Sequence, residues 1–476
     1  MGKPCGFFFF AVMTAIFQPA AAANAQTLST AQVLQQLTAL LQPMGAVAEL
    51  ETLALPEALD RVLAEDVICP VNVPPHDNSA MDGYAFAGTE LAQARPGQPL
   101  SLRVKGTALA GSPWQGRLAA GECLKIMTGA VMPAGLDTVV PHEQVTAGAD
   151  SIQLDAAAVS PGANRRLRGE DLRQGSVALQ AGQRLTPAAL GLLASLGLGQ
   201  VTVRRRLRVA YFSTGDELLS PGAAPREGAI YDSNRFSLQG LLRRLGAQVL
   251  DLGAVPDEPH VLEERLREAA TLADVVLTSG GISAGEADHT RAMLQRLGTV
   301  QFWRVAMRPG RPLAVGLLAP AAMALHPVAE KFTEKSASSP FTEIASSSQN
   351  QIIQLSTRRP AVLLGLPGNP VAAMVSFLMF VRPALAMLAG ERDTQPPMLQ
   401  APCSERLGKR PGRTEYLRGV LELDAQGRAT VRTTGPQGSG VLSSMVAANC
   451  IIVLDDERGE VLPGDSVGIL LLQSLG

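Results

Sequence analysis

From residue 207 onward the chain alternates extended and helical stretches, and that alternation leaves few folds open. Apolar runs at 207–212, 248–255, 274–278 and 361–366 read as strands, while helical spacing of apolar residues covers 233–245, 260–272 and 288–297 and resumes at Val371. Strands separated by crossovers long enough to hold a helix predict a mostly parallel, doubly wound α/β sheet. In such a sheet ligands sit at the carboxyl ends of the strands. Each of these strands runs into a polar, glycine-bearing loop, so the pattern that predicts the fold also predicts a site.

Three of those loops carry the chemistry. Ser213-Thr214-Gly215-Asp216-Glu217 offers backbone N–H groups and hydroxyls to an anion, with two carboxylates beside them. The same residues also read as a plain strand-to-helix turn capped by Asp216 or Glu217, and the sequence leaves both open. In Ser279-Gly280-Gly281-Ile282-Ser283 the paired glycines allow close backbone approach to a ligand, and Glu286 and Asp288 follow. Leu366-Pro367-Gly368-Asn369-Pro370 is stiffened by two prolines and leads into a helix whose N-terminus attracts negative charge. Three such loops in one α/β domain predict a phosphate-bearing ligand. No segment fits GxxxxGK[ST] or an early GxGxxG, which disfavours a P-loop NTPase and a Rossmann dehydrogenase. Arg304, Arg308 and Arg311 bracket a Pro309-Gly310 turn expected to hold the last two close together, an arrangement suited to an oxyanion; a solvated arginine face is the alternative.

The 476 residues suggest about three domains. Ser29 and Gln32 form a capping-box pattern ahead of Val33, Leu34, Leu37, Leu40 and Leu41, and Pro56 opens a second predicted helix with Leu55, Leu59, Val62 and Leu63 as its stripe. Short apolar runs punctuated by Gly and Pro over 70–164 predict a small β domain. Within it the polar run 74–86 contains Asp77 and Asp82, candidates for metal binding or proton transfer, with an Asx-turn at Asp77 and Asn78 as the alternative. Thr186 and Pro187 mark a helix start. The serine-rich stretch 319–359 reads as a flexible surface insertion, and short strands after Pro396-Pro397 as a compact β domain.

Composition narrows the function classes. A formal net charge of -2 without a basic stripe argues against nucleic acid as a partner. Five cysteines, far apart and without a CxxC pair, read as scattered buried thiols. The apolar span 361–388 is broken by Pro367, Pro370 and Arg382 and reads as strand, turn and buried helix, so no membrane span is expected there. Residues 1–26, with Lys3, an apolar run at 6–17 and Ala23-Asn24-Ala25, imitate a secretory signal.

Ordered motifs join these segments: NSAMDGYA at 78–85, KIMTGA at 125–130, RGEDLRQG at 168–175, STGDEL at 213–218, YDSN at 231–234, TSGGISAGEADHT at 278–290, RPGRP at 308–312 and LPGNP at 366–370. In these the chain resembles the molybdopterin molybdenumtransferase family, which includes the carboxyl-terminal part of gephyrin, over about residues 28–476. The resemblance implies a multidomain α/β plus β protein: a MoaB/Mog-like doubly wound α/β pterin-binding domain, an inserted β domain and a C-terminal β barrel. The implied division is a signal-like or disordered extension at 1–27, an elongated domain I from 28–67 and 165–205, β domain II at 68–164, α/β domain III at 206–395 with the insertion at 319–359, and barrel domain IV at 396–476.

The implied reaction takes adenylylated molybdopterin, breaks its pyrophosphate bond with Mg2+ present, releases AMP and places molybdate on the dithiolene sulfurs. By the same resemblance Asp82, Thr128, Asp171, Glu217, Asp257 and Asp288 are the catalytic polar residues, with Asp257 and Asp288 on the metal. The molybdopterin-binding set is Ser213, Thr214, Gly215, Asp232, Ser233, Asn234, Ser279, Gly280, Gly281, Ser283, Pro309, Gly310, Pro312, Pro367, Gly368, Asn369 and Pro370; the molybdate set is Arg304, Arg308, Arg311, Arg418 and Ser439. Arg308 and Arg311 depart from the family's lysines, exchanging a point cation for a planar fork. A homodimer, transient contact with the molybdopterin adenylyltransferase and with acceptor molybdoenzymes, and no nucleic acid or membrane partner are implied. Because the substrate is made in the cytosol, a cytoplasmic location is expected and the signal-like residues 1–26 are discounted. The adenylyltransferase itself lacks counterparts of Asp82, Thr128 and the final β domain, and a scaffold has no need of the carboxylates.

Overall fold

The computed structural model describes residues 27–95, 97–281, 293–294, 296–319 and 359–475. Residues 1–26, Ser283, Glu286, Asp288, the start of the predicted 288–297 helix and nearly all of the 319–359 insertion lie outside the described residues. The chain forms two compact units, one comprising the chain up to Glu49 with Arg204–Gly476, the other Leu50–Val203.

The first unit is built on a seven-stranded sheet in the order Thr27–Leu28, Gly298–Val305, Pro312–Leu318, Ala361–Leu366, Val275–Ser279, Arg208–Thr214, Gln248–Val255. The four strands from Ala361–Leu366 to Gln248–Val255 run parallel to one another, as the alternation predicts. Pro312–Leu318 runs antiparallel to both neighbours because only the short 306–311 connection separates it from Gly298–Val305, too little for a crossover. Helices cover both faces. Thr30–Leu41, Ser233–Arg244 and the helical run from Pro370 pack on one face through Leu37, Leu238 and Val371, while Pro259–Leu272 packs on the other through Leu262 and Leu266.

Ser29 closes the capping box read from the sequence, its Oγ accepting from Gln32 N while Gln32 Oε1 accepts from Ser29 N. That helix packs on the α/β sheet, since Val33, Leu37, Leu40 and Leu41 point into its core. The helix over 370–389, with a π-turn at Phe377–Val381, is long and apolar enough to cross a membrane, but its apolar stretch is mostly buried within the protein. The unit continues into a β barrel in which Thr414–Leu423 pairs with Ala429–Thr433 and Cys450–Leu454. Ser466–Leu471 and Leu399–Pro402 follow, and the Cys403–Val431 bridge closes the circuit. Met307–Arg308 is stitched in parallel to Thr414–Glu415, tying the barrel to the arginine loop.

The second unit holds a six-stranded sheet, ordered Thr138–Pro141, Gly83–Phe86, Glu122–Ile126, Leu100–Ala108, Ser151–Leu154, Val145–Ala147, with separate cores on its two faces. Thr186 caps Pro187–Ser195 as predicted. The second predicted helix is absent: only Leu55–Glu57 forms a single turn, and Val62 and Leu63 instead bridge to Arg184 and Val203. Asp60 adopts a positive φ of 60°, and its N–H and that of Leu63 bond to Leu185 and Gln183 carbonyls, so the backbone is committed to cross-chain pairing before a second turn can close. The four described cysteines are free and buried.

Candidate functional site

The three loops converge at the carboxyl ends of the parallel strands. Ser213 and Thr214 end one strand and Ser279 its neighbour, in register with each other and all buried. Beneath them lies Tyr211, whose hydroxyl is 2.9 Å from Ser213 Oγ and 2.8 Å from Ser279 Oγ. A phenol has one proton, so it can donate to at most one of the two serines, and at least one serine hydroxyl donates to it. Burial pushes the Tyr211 phenol well above its ordinary range, keeping it neutral. Sequence reasoning missed this residue; its one signal is a hydroxyl-bearing aromatic in an otherwise apolar strand.

Gly280 follows with φ 110°, and a Cβ there would collide with the Thr214 carbonyl oxygen, so only glycine lets the two loops touch. A Cβ on Gly281 would lie 2.9 Å from Asp257 Oδ1 and 3.2 Å from Thr214 Oγ1, which shows how closely these three residues gather. Asn234 Nδ2 donates to the Gly368 carbonyl at 2.7 Å, bringing in the third loop, and Gly368 packs against Gly280. Pro370 starts the following helix and Asn369 gives it no side-chain cap. Thr214 Oγ1, Asp232 Oδ2 and Asn234 Oδ1 are buried without a hydrogen bond to any described residue. Buried polar atoms are normally satisfied, so a group of them around a glycine-lined surface is what a polar ligand would complete.

The carboxylates do not cap a helix. Asp216 and Glu217 lead instead into the Leu218–Leu219 and Ile230–Tyr231 ladder, and the cap is Asp232, which accepts from Arg235 N at 3.1 Å and precedes Ser233 at the helix start. Asp216 Oδ1 accepts from Asp257 N at 3.2 Å, and the Glu217 carboxylate lies against Gly215. Partial desolvation, then the like charges of Asp216 and Glu217, raise Asp257 above the usual carboxylate range. Among the described residues no three His, Cys, Asp or Glu side chains gather closely enough to hold a metal alone.

The arginine loop packs on the helix that follows the third strand loop. Pro309 and Gly310 are buried; Gly310 has φ 101°, and a Cβ there would come within 2.5 Å of Ser376 Oγ. Arg418, on a barrel strand, is fully buried: its Nε donates to Ser444 Oγ at 2.9 Å, its Nη2 to the Gly438 carbonyl at 3.0 Å, and its Nη1 has no partner. Burial, then the Arg308 charge, lower its pKa from the ordinary guanidinium value. Arg308 and Arg418 share the wall of a cavity of about 260 Å³. The Ser439 carbonyl accepts from Val371 N at 3.1 Å, linking this barrel loop to the third strand loop. Arg304 and Arg311 are exposed and line neither this cavity nor a larger one beside it, while Pro312 starts the next strand. The expected arginine set therefore divides: Arg308 and Arg418 meet, and Arg304 and Arg311 stand outside.

In the β-rich unit, Asp82 Oδ1 accepts from both Thr128 N and Thr128 Oγ1, each at 2.7 Å. These two bonds, with smaller contributions from His142 and Lys125, hold Asp82 below the usual carboxylate range. Asp77 does not form an Asx-turn: its Oδ1 accepts from Arg168 N at 2.8 Å and pins the loop carrying Asp171. Asp171, exposed, donates its N–H to the Val73 carbonyl. Bonds from Gly129 and Met132 to the Ser79 and Asp77 carbonyls fix the Thr128 loop on the same segment.

With this geometry in hand, three family descriptions match the chain: the MoeA N-terminal region (domain I and II) over 28–197, a probable molybdopterin binding domain over 210–387, and the MoeA C-terminal region (domain IV) over 400–472. The chain is 39% identical to a molybdopterin molybdenumtransferase of Haemophilus influenzae over 436 residues, covering 91% of this chain and 97% of that one. It is 34% identical to molybdopterin molybdenumtransferase 2 of Mycobacterium tuberculosis over 424 residues, 88% of this chain and 94% of that one. The crystal structure of a molybdopterin biosynthesis moeA protein from Pyrococcus horikoshii OT3 superposes with a TM-score of 0.73 at 26% identity, covering 94% of this chain and all of that one.

Proposed function

The chain belongs to the molybdopterin molybdenumtransferase (MoeA) family, and from that premise we propose that it inserts molybdate into adenylylated molybdopterin and releases AMP. The observation that carries this reading is the convergence of three glycine loops, with Thr214 and Asp257 both close to Gly281, on a helix start that is tied through Ser439 to the loop accepting from Arg418. A pterin phosphate suits the glycine surface, and a molybdate oxyanion suits the Arg308 and Arg418 cavity.

In this reading the chain's residues bind and orient. The Thr214 hydroxyl and the backbone of Gly280 and Gly281 receive the phosphate oxygens, the Tyr211 hydroxyl fixes Ser213 and Ser279 beneath them, and Asn234 holds the Gly368 loop. The raised Asp257, crowded by two like charges, suits a divalent cation. Mg2+ commonly takes one or two carboxylates and completes its shell with water and substrate phosphates, so the absence of a three-acid cluster among the described residues is compatible with it. Asp257, with Asp288, would hold it. Bound there, Mg2+ would draw charge from the breaking pyrophosphate bond. Asp82, kept ionised by Thr128, supplies a fixed acceptor, and Asp171 and Glu217 complete the polar set. The four-domain division, a homodimer, transient contact with the adenylyltransferase and acceptor molybdoenzymes, and a cytoplasmic location belong to the same reading.

The test is AMP release from adenylylated molybdopterin by the purified protein with Mg2+, with and without molybdate. Molybdate-dependent release that falls on Asp82→Asn is expected. Substrate binding without release of AMP would overturn the proposal.

A further inference from the structure

The strand Gln248–Val255 carries one residue more than its partner Arg208–Thr214 along their shared ladder. Tyr211 lies opposite Asp251 and Ser213 opposite Ala254, so Leu252 and Gly253 together face Phe212 alone. This is a β-bulge, and Gly253 takes a positive φ of 78° within it. The burial pattern carries the mark of the extra residue. Leu250 and Leu252 pack on the core shared with Pro259–Leu272, as residues two apart on a strand do, and strict alternation would send Ala254 after them. Instead Ala254 is exposed, and Val255 joins that core with Leu262 and Leu266.

One carboxylate holds the bulge. Asp251 Oδ1 accepts from Gly253 N at 3.0 Å, while Oδ2 accepts from Arg235 Nε at 3.0 Å and Nη2 at 2.8 Å. Arg235 is itself fixed, because its backbone N–H is the one that the helix cap Asp232 receives. The sheet end is built on the shifted register. Thr214 pairs with Val255, Gly215 N donates to the Val255 carbonyl at 3.4 Å, and two residues on Asp257 N donates to Asp216 Oδ1. Pairing without the bulge would turn every position past Leu252 to the opposite face and carry Asp257 about 3.3 Å along the strand, away from Asp216 and Gly281.

We propose that Asp251, clamped by Arg235, is a positioning residue for Asp257: it maintains the bulge that sets where that carboxylate stands among the strand-end loops. The inference rests on the reading that Asp257 holds the divalent cation of the proposed reaction. Asp251 acts through the backbone of residues 252–256 and not by touching the ion, in keeping with the habit of bulges beside sites to re-aim a side chain.

The test titrates Mn2+ alone, standing in for Mg2+, into the full chain and follows the free ion by electron paramagnetic resonance. The Mg2+ concentration for half-maximal AMP release is measured alongside. Asp251→Ala, which loses both contacts, should weaken Mn2+ binding and raise the Mg2+ requirement about tenfold. Asp251→Asn, whose amide oxygen still accepts from Gly253 N, should stay within about threefold of the wild type. Arg235→Ala, which removes the clamp and leaves the bulge bond, should fall between them. A residue needed only for stability would lower the melting temperature of these variants and leave the Mn2+ affinity of the folded protein unchanged. That result in Asp251→Ala, or in Arg235→Ala should the first variant not fold, overturns this proposal alone. Wild-type protein that binds no Mn2+, or binds it equally well after Asp257→Asn, overturns the underlying reading with it.

Discussion

Asp82 in the β-rich unit and Asp257 at the sheet end of the other are pushed in opposite directions by their surroundings. Asp82 receives two hydrogen bonds from one threonine, through backbone and hydroxyl, and both favour the ionised form. Asp257 receives none from the described residues; desolvation and the charges of Asp216 and Glu217 favour the neutral form. Divergent environments of this kind separate roles between like groups. Asp82 is built to be a lasting anion, whereas the surroundings of Asp257 disfavour its charge, which the divalent cation proposed above would relieve. Stability follows the same signs: the Asp82 contribution is present above the unfolded pKa and fades as pH falls through the depressed folded value. The raised Asp257 favours the fold at low pH and loses that contribution as pH rises through its folded value.

The largest expected effect breaks the comparison at Asp257. Asp257→Asn removes the charge a cation would neutralise, and AMP release should fall about 100-fold, with the Mg2+ concentration needed for half-maximal rate increased. Release with an unchanged Mg2+ dependence would show that Asp257 is crowded for some other reason. A smaller effect is expected from Thr128→Val, which deletes the hydroxyl bond to Asp82 and keeps the backbone one. The acid limb of the pH profile for AMP release should move toward neutrality, with a loss of less than about tenfold near pH 7. An unmoved acid limb would mean that Asp82 ionisation does not govern the rate.

The sheet was legible from the sequence because period and length agree along it: the strand predicted at 248–255 and the one at 361–366 have those bounds, and the glycine loops fall where the strands end. The failures arose where tertiary contacts outweigh local pattern. The stripe of Leu55, Leu59, Val62 and Leu63 has helical spacing, but Asp60 turns the chain and carbonyls of the 183–185 segment claim its N–H groups. Asp216 and Glu217 looked like caps because the real cap, Asp232, lies beyond a ladder whose pairing is non-local. Arg418 and Asp257 entered only through resemblance, since neither a buried arginine in a barrel strand nor an aspartate crowded across loops leaves a periodic trace. Tyr211 was hidden by its strand.

The smallest effect sharpens the comparison by asking what holds the surroundings of Asp257 in place. Tyr211 spans the tips of two strands, and the loops they lead into bring Gly281 close to both Thr214 and Asp257. Tyr211→Phe keeps the ring in the core and removes one buried hydroxyl, at a cost of about 1 kcal/mol in stability. If Tyr211 only fills space, AMP release should keep its KM and kcat once the protein is folded. If it positions the serines, KM for adenylylated molybdopterin should rise about threefold with kcat nearly constant, and the rise should vanish in a Ser213→Ala, Ser279→Ala background where nothing is left to position. A rise of equal size in that background would assign Tyr211 a role independent of the two serines and would separate the sheet-end geometry from the hydroxyl network beneath it.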